Sequence, residues 1–448
     1  MNSRTIIRYC VAVSLLLVGC KPTLDEPKYN AGTADFERFV AVGSGFTAGF
    51  NDGALTRAGQ ESSIPNLLAH QFSFAGGGEF KQPLLPSGNG LLVNSLGQIK
   101  GQLSLSSIIN CAGKFDFRIS NVSGNAAGLQ WIGNSGPFNN LSVPGVKSFQ
   151  LYSQFLGKGG SVGNYYYHRF ASDTGSVSGL SSTLIGDAQI IDPTFFMLWM
   201  GNSDVYSYAT SGGAGVVGGM GAYDLTPVDT FNKAVDFIVN GISSNGANGV
   251  IANIPDIYDI PFFNSIPYNG LTLTAAQATA LNVVSPPGIT FSAGSNSFVV
   301  ENGGAIRQLK AGELLLLSIP SDSLLCGGWG LPQHPIPAKY VIDSTELSNI
   351  NLSIAAFNNK IVSAATSKGL ALVDVNHFYK TLQPGIKFNG VTMSASFISG
   401  GAFSLDGINP SNRGFALIAN EFILAINARF KSNLPMVDVN SYTGIIFP

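Results

Sequence analysis

Three short polar stretches hold the side chains of this 448-residue chain that could do chemistry. Val42-Gly43-Ser44-Gly45-Phe46-Thr47-Ala48-Gly49 sets a serine hydroxyl in a Gly-rich turn. Gly201-Asn202-Ser203-Asp204 follows the apolar run Phe195-Phe196-Met197-Leu198-Trp199-Met200 and adds a carboxamide, a hydroxyl and a carboxylate. Asp406-Gly407-Ile408-Asn409-Pro410 brings a second carboxylate and carboxamide. Hydroxyls and carboxylates are materials for nucleophilic and acid–base catalysis, which also needs a base that titrates near neutrality. The four histidines, His70, His168, His334 and His377, all stand outside these stretches. No Cys/His spacing suits zinc, and no Gly-rich loop with a lysine suits phosphate. Asp25, Glu26 and Asp204 form no metal constellation, so no metal or cofactor is expected.

The elements that must position these stretches read as alternating helices and buried strands. Residues 38–42 predict a short buried strand before the first turn, and 195–200 a second one ending at Gly201. Two more are expected at 249–254 and 370–375. Pro227 opens a helix with Val228, Phe231, Val235, Ile238 and Ile242 at i+3/i+4 spacing. Another starts near Ser344, carries the stripe Leu347, Ile350, Ile354, Phe357 and Ile361, and stops at Lys368-Gly369. The last runs from about 411 to 430, with Phe415, Ile418, Phe422 and Ile426 inward. Helix then buried strand, repeated, predicts an α/β three-layer sandwich with a central parallel sheet flanked by helices. Ligands of such sheets sit beyond the carboxyl ends of the strands. The turns 43–49 and 201–204 and the loop 404–410 then share one rim, and His377 lies toward it. Stretches at about 75–135 and 264–340 are rich in Gly, Ser, Asn and Pro. They are expected to be insertions on a single domain (36–448), each lacking a core of its own.

With these residues in view, the chain resembles the SGNH/GDSL hydrolases, in the lipoprotein subgroup of Bacteroidetes-type bacteria. The first stretch resembles the family's Gly-Asp-Ser-Leu-Thr-Ala-Gly block. Gly201-Asn202-Ser203-Asp204 resembles its Gly-x-Asn-Asp block, and Asp406 to Asn409 its Asp-x-x-His block. Weaker similarity sets the second block's glycine at Gly145. Ile254-Pro255-Asp256, Pro261-Phe262-Phe263 and the closing Gly444-Ile445-Ile446-Phe447-Pro448 add to the likeness with the subgroup. The resemblance implies ester hydrolysis by a serine nucleophile, a histidine base, an orienting aspartate and oxyanion donors. It also sets Gly45 at the serine position, Asn409 at the histidine position and Ser203 at the oxyanion asparagine. Asp406 and Gly145 are kept. Glycine cannot attack, and a carboxamide is no base near neutral pH. A degenerate, inactive site is therefore expected. The alternative is an active esterase or lipase that pairs a relocated Ser44 with His377.

The N-terminus begins with Arg4 and Arg8, then an apolar run from Cys10 to Val18 too short to span a bilayer. Leu17-Val18-Gly19-Cys20 resembles a bacterial lipobox, which implies a signal peptide at 1–19, acylation of Cys20, and a tether at 20–35. Lys21 after the cysteine favours the outer membrane. Cys111 and Cys326 are then the remaining thiols; a disulfide and two free cysteines are both open. With 24 Lys+Arg against 26 Asp+Glu and only 11% charged residues, the chain lacks the basic face that nucleic acid requires. Its neutral-polar surface suits glycans or lipids. The expected partners are the membrane through the lipid anchor, a glycan or lipid ligand, and an outer-membrane protein.

Overall fold

The computed structural model describes residues 28–94, 97–160 and 163–448. The signal segment and Cys20 lie outside them. Five strands form one parallel sheet: β1 (Phe39–Gly43), β2 (Asn140–Ser142), β3 (Phe195–Trp199), β4 (Asn248–Ala252) and β5 (Ala371–Val373). Their spatial order is β5-β4-β3-β1-β2, and every pairing is parallel. This is the doubly wound 2-1-3-4-5 order, in which the chain reverses its direction of travel between β1 and β3. β1 and β3 are buried at every position, as their unbroken apolar sequences require.

Five helices matter for the site: α1 (Gly45–Ala48), α2 (Asn202–Thr210), α3 (Val228–Ile242), α4 (Ser344–Lys368) and α5 (Asn412–Phe430). On one face α3 packs on α4, with Phe231 stacked on Phe357 at 4.0 Å. On the other face α5 packs on the helix Ile64–Ser73. There Phe195 meets Phe72 and Phe430, and Trp199 meets Phe422. The predicted stripes face inward, except that Val228 is exposed at the first turn of α3. A capping box of Asp343 and Glu346 starts α4, and left-handed Gly369 ends it. One apolar core runs from Ala34 to Val439.

The two long stretches are more ordered than their composition suggests. The first contains a hairpin of Ile99–Ile109 with Phe115–Ser123; its second strand is largely exposed, while Gly101 and Leu105 of the first are buried. The second contains an antiparallel pair, Leu271–Leu273 with Gly294–Asn296, joined through the helix Ala275–Val284, and a hairpin of Val299–Asn302 with Ala305–Gln308. Contrary to expectation, it has two small apolar clusters of its own, one around Phe298, Val300 and Leu315, the other around Leu273, Ile289 and Phe291. The apolar residues come in short runs such as Phe298-Val299-Val300 and Leu314–Leu317, which become clusters only when short strands pair across gaps in the sequence. Cys111 is bonded to Cys326, beside an Arg118–Asp322 ion pair at 2.7 Å, so the two excursions are tied to each other.

Candidate active-site cleft

At the reversal between β1 and β3 the strand ends leave a cleft of about 320 Å³. It is lined by Ser44 and Gly45 after β1, Gly145 after β2, Asn202 and Ser203 at the start of α2, and Asn409 from the last loop. All the sequence-predicted rim stretches therefore converge, including the weakly signalled one at Gly145.

Glycine is required at two neighbouring positions but not at 45. A Cβ on Gly43 would lie 2.2 Å from Thr47 Oγ1 and 2.6 Å from the Trp199 carbonyl. Gly201 has φ +99°, and a Cβ there would reach 2.5 Å from Ile254 Cδ1. By contrast, a Cβ on Gly45 would stand 3.5 Å from Asn409 Oδ1 and 3.5 Å from Phe50 Cβ, ordinary contact distances. A side chain fits at position 45, and it would face Asn409. Ser44, one residue earlier, is buried at the N-cap of α1 with φ −105° and ψ −155°.

Asp406 holds the opposite wall. Its carboxylate accepts from the backbone of Gly53 (3.0 Å), Ile408 (2.8 Å) and Asn409 (2.7 Å). It also accepts from Asn409 Nδ2 at 3.0 Å. Asp406, Asn409 and position 45 thus follow one another across the cleft, Asn409 being bonded to Asp406 and within reach of a side chain at 45. Asp52, bonded through Oδ1 to the Leu405 N–H at 2.8 Å, lies beside this loop. Burial pushes its carboxyl up to about 6; the Leu405 bond opposes the shift and the charge of Asp406 adds to it.

Asn202 was not singled out from the sequence. It is 3% exposed, lines the cleft, and neither atom of its carboxamide bonds to the protein. The adjacent Ser203, at the expected oxyanion position, is half-buried. Asp204 turns inward instead. It is fully buried and accepts from Ser148 N (2.9 Å) and Oγ (2.7 Å), so it fixes the turn after β2 to α2. Burial raises its carboxyl above the usual range despite those bonds.

None of the four histidines lines the cleft. His377 is exposed in a separate crevice with Asp374 and Glu421 at the end of β5. β5 lies three strand spacings from β1, about 14 Å. The structure therefore does not assemble the Ser44–His377 pair. His168 is bonded through Nδ1 to the Gly157 carbonyl at 2.8 Å, His70 packs edge-on against Phe74, and His334 sits in a turn with Leu331.

No family model matches the sequence, and no curated protein matches it. Among solved structures, the chain is similar to a lipase/acylhydrolase from Enterococcus faecalis, at 10% identity and TM-score 0.33, over 89% of this chain and 100% of that one. It is similar to a GDSL-like lipase from Parabacteroides merdae, at 10% identity and TM-score 0.34, over 90% and 99% of the two chains. The extracellular lipase of Streptomyces rimosus matches at 11% identity and TM-score 0.31, over 88% and 99%.

Proposed function

We propose that this chain is an outer-membrane lipoprotein with an SGNH/GDSL-hydrolase-like domain that has kept the cleft, lost turnover, and acts as a binding or accessory module. Its ligand would be an acylated glycan, a lipid or an envelope partner. One observation carries the reading: a Cβ at position 45 would meet Asn409 Oδ1 at 3.5 Å, at the switch point of the sheet, in a cleft without an imidazole. The pairing has a place for a nucleophile and a place for a base, and neither is filled by a group that can serve. The carboxylate that would orient the base is present and fully engaged. The unpaired Asn202 carboxamide supports a binding role. A buried polar group without a protein partner costs about 1–3 kcal/mol, which hydrogen bonds to a ligand would offset.

Catalysis by Ser44 with His377 is the weaker reading, because the two residues line different crevices. The full-length chain in detergent should hydrolyse short p-nitrophenyl esters no faster than buffer and resist labelling by a fluorophosphonate. Turnover that disappears in Ser44→Ala would overturn the non-catalytic reading. Mass spectrometry of the N-terminal peptide tests the anchor: acylation is expected on Cys20 and none in Cys20→Ser, and an unmodified wild-type cysteine after export would remove the lipoprotein assignment.

A further inference from the structure

A larger groove, of about 1060 Å³, lies away from the cleft and shares no lining residue with it. Its walls are the segment around 149–155, the helix Leu184–Ile190 and the outer face of α3. Aromatic surface is exposed here rather than buried. Phe155 is 50% and Phe237 55% exposed, and Tyr152 packs on Phe237 with ring centroids 4.7 Å apart. Lys158 Nζ lies 5.0 Å from the centroid of Phe155, outside the lining.

The polar part of the lining consists of carboxamides and hydroxyls only; no charged side chain contributes. Gln150 uses its Oε1 to accept from the Lys147 N–H, which leaves its NH2 free. Gln189 donates its Nε2 to the Gly241 carbonyl, which leaves its oxygen free. Gln154 and Asn240 are exposed beside them. The groove thus offers aromatic faces ringed by neutral groups that both donate and accept.

From this juxtaposition we infer that the groove is a binding site for a neutral oligosaccharide. A pyranose ring has the matching surface: an apolar C–H face to lie on an aromatic ring, and a rim of hydroxyls that donate and accept. An anionic headgroup or nucleic acid would require cations that the lining lacks. The concave form, with aromatic rings and convergent polar groups, is that of a small-ligand site. The inference is independent of the reading of the cleft.

Calorimetric titration of the full-length chain, in a detergent without a sugar headgroup, tests this with maltohexaose, cellohexaose and N-acetylchitohexaose. At least one should bind with Kd below about 1 mM, uncharged in character and therefore insensitive to 0.5 M NaCl. Phe237→Ala and Asn240→Ala should each weaken that binding by tenfold or more. Leu424→Ala, which removes an equally exposed apolar residue on α5, should leave it unchanged. Both groove positions are exposed, so the variants are expected to keep wild-type circular dichroism. The inference is overturned if none of the three sugars binds at 5 mM, or if the folded groove variants bind as wild type does.

Discussion

Supplying a nucleophile at 45 and a base at 409 should give the cleft esterase activity. The perturbation is Gly45→Ser with Asn409→His, made singly and together. A Cβ at 45 meets only ordinary contacts, so serine enters without moving the turn. At 409, an imidazole Nδ1–H takes over the bond that Asn409 Nδ2 makes to Asp406 at 3.0 Å, and turns the far ring nitrogen toward position 45. Members of such a triad act as a unit, and losing either nucleophile or base costs about 10⁶ in turnover. Each single variant should therefore stay at background. The double variant should exceed both by at least ~10³ in kcat/KM, which is about 4 kcal/mol of transition-state stabilisation. Adding Ser203→Asn should contribute up to a further ~10² through the oxyanion. The assay is p-nitrophenyl acetate hydrolysis with active-site titration by a fluorophosphonate. A folded double variant no faster than its parents would refute the spatial assignment of positions 45 and 409.

Three other outcomes follow from the same geometry. Asp52 binds its proton more tightly in the folded state (about 6) than unfolded (3.8), so its contribution to stability is greatest in acid and declines as pH rises from about 4 to 6. Asp52→Asn should flatten that decline and raise stability at pH 7 by up to about 3 kcal/mol, read by urea unfolding across pH; an unchanged pH profile counts against the buried carboxyl. Asn202→Leu, of similar volume, should leave stability unchanged or raise it by about 1–3 kcal/mol, and a comparable loss in chemical denaturation would show that the carboxamide has a structural partner after all. Reducing Cys111–Cys326 removes a 215-residue closure worth at most about 5 kcal/mol of chain entropy. Since the hairpin lies outside the main core, the expected readout is protease cleavage near 109–115 with the sheet intact, and equal resistance of oxidised and reduced protein would contradict it.

The sheet strands with continuous apolar sequences were legible because burial on both faces leaves no other composition available. β2 was not: Asn140, Leu141 and Ser142 form an edge strand of three residues with a single apolar side chain. The hairpin differs: its apolar residues alternate with polar ones, as at Leu103 and Leu105 and at Phe115, Phe117 and Ile119, but Phe115 and Phe117 end up exposed, so the alternation marks strand without marking core. Within the site, the identities at 45, 406 and 409 could be aligned, but their mutual approach is a product of tertiary packing. Asn202 illustrates the limit best. Whether residue 202 or 203 turns its side chain into the cleft depends on how Gly201 enters α2, and φ +99° there is a property of the folded turn. Successive helical side chains differ by roughly 100°, so one residue decides the matter.

The bond between Cys111 and Cys326 divides the molecule topologically. Residues 111–326 form a closed covalent circle that includes β2, β3 and β4, while β1 and β5 belong to two open ends. Gly145 and Asn202 are inside the circle; Gly45 and Asn409 are on the ends. A single backbone cut within the circle leaves one connected molecule with every wall of the cleft still attached. A single cut between residues 45 and 111, or between 326 and 409, detaches one of the two facing positions.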